Sequence, residues 1–164
     1  MERQIIRILS VTILAWLSLA TLVYALDEKV MPGSACLPER SGLEEGEFGP
    51  TTGFVIPEDG RSILNLGGGE PRVHCPIVRD NVTNTTGITV FVRVSYVQVD
   101  EPLTCTLFSF GRFGEKQDSD SASTRSNEPV TLRLKVKKSM SGGYYTLNCT
   151  LPHGSEVFSY RVAE

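Results

Sequence analysis

Four cysteines, two histidines and scattered carboxylates are the side chains through which this sequence could do chemistry. Cys36, Cys75, Cys105 and Cys149 lie far apart along the chain, whereas zinc sites bring their ligands in close pairs. An even set of this kind points to disulfides formed in an oxidising compartment. Of the three possible pairings, Cys36 with Cys75 and Cys105 with Cys149 is favoured, because each closes a loop of about 40 residues, for which chain entropy gives ~4 kcal/mol. His74 directly precedes Cys75, so on a strand the two side chains leave opposite faces and form no catalytic pair. His153, between Pro152 and Gly154, is expected in a solvated turn. No serine sits in a nucleophile elbow, and the Gly67–Gly69 run lacks the Lys and Ser or Thr that complete a phosphate-binding loop. Asp118 and Asp120 resemble the start of a calcium loop, but Ala122 occupies the third ligand position. Neither a metal nor a cofactor is expected, and no residue is assigned a catalytic role. A hydrolytic carboxylate pair would have to be drawn from Glu44, Glu45, Asp59 and Glu70, which nothing in the sequence brings together.

The stretch Gly111–Glu128 mixes charges, serines and single glycines between two good strand patterns, and reads as a long exposed loop. Arg112, Phe113 and Arg125 are its candidate partner contacts; a plain solvated loop is the competing reading. On the partner-binding reading, deleting Gly114–Glu128 leaves folding intact and abolishes capture. Asn81, Asn84 and Asn148 each open an acceptor pattern for N-linked sugar through Thr83, Thr86 and Thr150. Turn and strand polar residues are the simpler account of them.

The elements that position these side chains begin after residue 25. Arg3 and Arg7 precede an uncharged apolar run from Ile8 to Ala25, the layout of a signal peptide cleaved after Ala25. An uncleaved anchor is the alternative, since a run of about 18 residues approaches a bilayer's span. Either way the basic residues lie on the Met1 side and the domain is exported, to a secreted or periplasmic location or to the outer side of a membrane. Residues 26–50, rich in Gly, Pro and Glu, read as an irregular lead-in, and 51–164 as one domain. The formal charge of the whole chain is -3, too weak and mixed for a nucleic-acid footprint.

Within the domain, runs of β-branched and aromatic residues alternate with turn formers. Ile88, Val90, Val92, Val94 and Tyr96 share one face, and a change of phase near Val97 and Val99 predicts a bulge or an edge exchange there. Val130, Leu132, Leu134 and Val136 alternate against Thr131, Arg133, Lys135 and Lys137. Period two also turns Tyr145, Leu147, Cys149 and Leu151 inward, with Cys105 and Leu107, Val73, Cys75 and Ile77, and Phe158, Tyr160 and Val162. The inward Cys105 and Cys149 support their pairing. Seven or eight strands without an amphipathic helix predict an all-β chain: a single antiparallel β-sandwich.

Gly143, Tyr145, Leu147 and Cys149 resemble the glycine, tyrosine and cysteine strand of immunoglobulin-like domains. The match is partial, because Tyr145 lies four residues before its cysteine and the single tryptophan, Trp16, falls in the leader. The Cys75-Pro76 step, the Asn81 turn, the Tyr145–Pro152 run and the closing Ser159–Val162 strand are similar to small uncharacterised exported bacterial proteins, over roughly Ile63 to Glu164. That resemblance implies a fold and an export route and no activity. The function expected is a non-enzymatic binding or envelope-associated structural module with a protein or glycan partner. It would touch a membrane only through an uncleaved N-terminal segment. A secreted hydrolase of an envelope polymer is the alternative class, and a protease-inhibitor-like domain a third.

Overall fold

A computed structural model describes residues 29–39, 53–67, 71–80, 83, 85–96 and 101–164. Among them eleven strands form two antiparallel sheets. The seven strands of five residues or more are β5 (Arg72–Pro76), β6 (Thr89–Tyr96), β7 (Leu103–Phe110), β8 (Lys116–Thr124), β9 (Val130–Lys135), β10 (Tyr144–Thr150) and β11 (Ser155–Ala163). Four shorter ones, β1 (Lys29–Pro32), β2 (Leu37–Pro38), β3 (Phe54–Val55) and β4 (Ile63–Asn65), precede them. One sheet runs β3-β4-β11-β6-β9, with β1 also paired to β11. The other runs β2-β5-β10-β7-β8. From β4 onward the chain crosses between sheets at every connection except the β7–β8 hairpin, the alternation of a jelly roll.

Period-two alternation builds the core. Val90, Val92, Val94, Leu134, Val157 and Tyr160 of one sheet face Val73, Leu103, Leu107, Leu147 and both bridges of the other, all buried. Tyr160 crosses the gap, its hydroxyl donating to the Pro76 carbonyl of β5 at 2.7 Å. Burial raises its pKa to about 12.

Cys36 is bridged to Cys75 and Cys105 to Cys149. Cys105 and Cys149 face each other in register across β7 and β10, with Cα atoms 4.0 Å apart. Cys105–Cys149 therefore lies within the five-stranded sheet, and Cys36, the residue before β2, is tied to β5 of the same sheet. An immunoglobulin-type bridge joins the two sheets, so the partial likeness at Tyr145–Cys149 does not extend to the architecture.

Three expectations change. Gly111–Glu128 is not one loop: a short turn at Gly111–Glu115 leads into β8, which pairs with β7 along its length. Deleting Gly114–Glu128 would remove an edge strand, so that deletion does not leave folding intact. Phe158 does not share the inward face of Tyr160 and Val162. The register between β11 and β6 slips between Val157 and Ser159, and this bulge returns Val157 to the core and turns Phe158 to the opposite surface. The bulge or edge exchange expected near Val97 and Val99 lies outside the described residues. Finally, Lys29–Pro38, within the stretch read as an irregular lead-in, adds β1 to one sheet and β2 to the other. Gly33, between them, passes so close to the Val157 carbonyl that no Cβ would fit.

Candidate functional site

Asp118 and Asp120 do not form a calcium loop. They stand on β8, the edge of one sheet, beside β9, the edge of the other. The Oδ1 atoms accept the backbone N–H groups of Ser119 and Ser121, at 2.9 and 3.0 Å. The Oδ2 atoms reach across: Asp120 accepts Lys135 N–H at 2.7 Å, and Asp118 accepts Lys137 and Lys138 N–H at 2.7 and 3.2 Å. The hydrogen bond from Lys137 holds the Asp118 carboxyl below its ordinary value against partial desolvation. Two carboxylates thus occupy the N–H groups that an edge strand would offer to an added strand. The outer strands β1, β2 and β3 have four residues or fewer, so the described edges offer little length for an added strand. No group of three or more metal-ligating side chains occurs among the described residues.

The outer face of the five-stranded sheet carries aromatic rings. Phe108 and Phe110 point outward because Cys105 and Leu107 fix the opposite phase of β7, and Tyr144 stands opposite Phe110 on β10. The rings are stacked with tilts of 28° and 21°, their centroids 5.9 Å apart for Phe108–Phe110 and 5.2 Å for Phe110–Tyr144. Lys116 lies over Phe108 at 5.7 Å. Hydroxyl side chains continue the face, among them Thr106 and Ser121, hydrogen-bonded at 2.9 Å, and Thr146. His74 lies farther across it, its Nδ1 2.7 Å from Asn148 Oδ1.

At the end of this row three connections meet. Arg79 donates to the Met140 and Gly143 carbonyls, both at 2.9 Å, and lies over the Tyr145 ring at 5.3 Å. The Gly111–Glu115 turn packs beside them: a Cβ on Gly142 would sit 3.9 Å from Arg112 Cβ, and one on Gly114 would sit 3.8 Å from the Tyr144 hydroxyl. Gly114 and Gly142 both have positive φ, 87° and 72°, which glycine adopts without strain. Phe113, at the tip, is 86% exposed, with the Arg112 guanidinium 5.1 Å from its ring centre.

A second feature lies on the outer side of the other sheet. A groove of about 600 Å³ is lined by Pro57, Asp59, Arg61, Arg93, Glu156 and Phe158, among others. It contains Asp59 of the carboxylates considered for hydrolysis, and adds Glu156. Glu44, Glu45 and Glu70 lie outside the described residues, as do Gly68, Gly69, Asn81 and Asn84.

The remaining sequence candidates separate. Arg112 and Phe113 are together at one end, while Arg125 follows β8 at the other, a strand of nine residues away, so the three form no single contact surface. His153 is exposed in its turn, with Nδ1 2.9 Å from the Gly67 carbonyl. His74 and Cys75 leave opposite faces. The Phe108–Phe110–Tyr144 row was not among the candidates. Its sequence signal was phase: Phe108 and Phe110 fall opposite to Cys105 and Leu107 on one strand, and Tyr144 opposite to Tyr145, Leu147 and Cys149 on the other.

No protein-family model matches this sequence, and no curated protein does. Among solved structures the fold is similar to BiXyn10A CBM1 in its apo form, with a TM-score of 0.50 at 11% identity over 83% of this chain and 96% of that one. The CBM36-1 domain of a multidomain xylanase from the hindgut metagenome of Trinervitermes trinervoides follows at a TM-score of 0.49 and 12% identity, over 84% and 97%. The CBM22-1 xylan-binding domain of Paenibacillus barcinonensis Xyn10C gives 0.49 and 9%, over 82% and 92%. These neighbours are carbohydrate-binding modules. At such identity the likeness to the first establishes the β-sandwich fold and nothing finer.

Proposed function

We propose that this chain is an exported, non-catalytic binding module that takes a glycan on the outer face of its five-stranded sheet. The observation that carries the reading is the row Phe108, Phe110 and Tyr144, held in register on a rigid sheet, partly open to solvent and flanked by threonine and serine hydroxyls. Sugar rings offer apolar C–H surfaces and a rim of hydroxyls. Aromatic side chains supply contact area at low entropic cost, and Tyr144 adds a polar tip. The rings sit on paired strands, so little ordering remains to be done on binding. The module name of the neighbour with a TM-score of 0.50 agrees with this reading, although the likeness itself concerns fold. Export, to the cell surface, the periplasm or the medium, accords with the two bridges and with the leader-like residues 1–25.

Affinity electrophoresis through a panel of soluble polysaccharides tests the proposal. The parent chain is expected to be retarded by at least one of them. Phe110→Ala and Tyr144→Ala should weaken that retention about tenfold or more, roughly 1.4 kcal/mol each, with both disulfides intact. Absence of retention across the panel, or variants that bind like the parent, would overturn it.

A further inference from the structure

The end of the sandwich that carries Phe113 combines three properties that the glycan reading does not use. Large apolar side chains are exposed on separate connections: Phe113 at 86%, Val78 at 54% and Met140 at 42%. The contacts of Arg79 with Met140 and Gly143, and of Gly142 with Arg112, bring those connections together. Around them basic side chains outnumber acidic ones. Arg112, Lys116, Lys137 and Lys138 are exposed and with Lys29 and Arg79 make six cations against the four carboxylates Asp80, Glu115, Asp118 and Glu164; Asp80 is paired with Lys29, and Asp118 accepts backbone N–H groups as an ionised carboxylate.

The third property is topological. β1 begins at Lys29, opposite Val162 near the end of β11, and Lys29 pairs with Asp80, in the connection that holds Val78 and Arg79. The chain therefore enters the domain at this same end. Only Leu26, Asp27 and Glu28 separate Lys29 from the uncharged run Ile8–Ala25. Three residues reach about 10 Å when extended.

We propose, on the uncleaved-anchor reading of residues 8–25, that this end is a bilayer-facing surface, with Phe113 and Met140 in the interfacial region and the surrounding cations at anionic headgroups. Apolar side chains ringed by Lys and Arg are what such an interface binds. The short connection raises their effective concentration at the bilayer. The outer face of the five-stranded sheet then stands upright beside the membrane, with Phe110 and Tyr144 at its membrane-near end and Phe108 and Thr106 farther out.

The test uses the full chain in vesicles of phosphatidylcholine and phosphatidylglycerol with brominated acyl chains. In a Trp16→Phe background, Phe113→Trp places a single tryptophan at the tip and Asn127→Trp, exposed in the turn after β8, places one at the opposite end. The tip tryptophan is expected to emit at shorter wavelength and to be quenched several-fold more than the one at 127. Arg112→Glu with Lys116→Glu should cut that quenching at least by half. Solvent-like emission and equal, weak quenching at both positions would overturn the proposal, as would tip quenching unmoved by the charge reversal.

Discussion

Tyr160 shows how much one side chain can contribute when its polar tip and apolar body are both used. Its ring is buried in the core, and its hydroxyl meets a carbonyl of the opposite sheet at 2.7 Å. Tyr160→Phe should cost about 1–2 kcal/mol in denaturant unfolding, because the Pro76 carbonyl loses its donor. Its pKa, raised to about 12, gives a second signature. The folded state holds this proton more tightly than the unfolded state, so stability is full below pH 10 and falls as pH rises from 10 toward 12. In Tyr160→Phe this part of the alkaline decline should be missing, as unfolding midpoints measured across that range would show. Asp118 has the opposite sign. Its carboxyl is held below its ordinary value of 3.8, chiefly by the Lys137 N–H. Its contribution is full above that value and lost as pH falls through the lower folded one. Asp118→Ala should leave a protein that is less stable at neutral pH and whose stability depends less on acid below pH 4.

At the scale of elements, the β8–β9 seam shows where sequence reading stops. The strands β6, β9 and β10 were legible because each alternates a core face with a polar one. β8 was not, since its inward positions Asp118 and Asp120 face an edge rather than the core, and serine and aspartate on both phases look like loop. What makes it a strand is its pairing with β7 and the N–H groups of Lys135, at the end of β9, and Lys137, just past it, neither of which is local in sequence. The same limit hid the proposed binding face. Phe108 and Phe110 could be placed opposite Cys105, but the register that sets Tyr144 beside Phe110 is tertiary. Phe113 and Arg112 were legible as exposed turn residues from composition alone, and Arg125 was grouped with them only because the intervening strand went unread. Removing both carboxylates, Asp118→Ala with Asp120→Ala, should expose the β9 edge. The expected outcome is faster amide exchange at Lys135, Lys137 and Lys138 and a rise in self-association, checked by hydrogen exchange and sedimentation.

For the molecule as a whole, the sandwich separates its tasks. The two bridges brace the sheet that carries the aromatic row; losing one of them, as in Cys36→Ala with Cys75→Ala, should cost about 2–5 kcal/mol in thermal or denaturant unfolding. The opposite sheet holds the Asp59–Glu156 groove, which is where a hydrolase would work if the enzyme reading were correct. One measurement separates these surfaces directly: backbone amide shift mapping of the isotopically labelled chain during titration with soluble neutral oligosaccharides. A binding module of the kind proposed should show saturable shifts centred on Phe108, Phe110, Tyr144 and Thr146. Shifts confined to the groove around Arg93, Glu156 and Phe158, or none with any oligosaccharide, would contradict it.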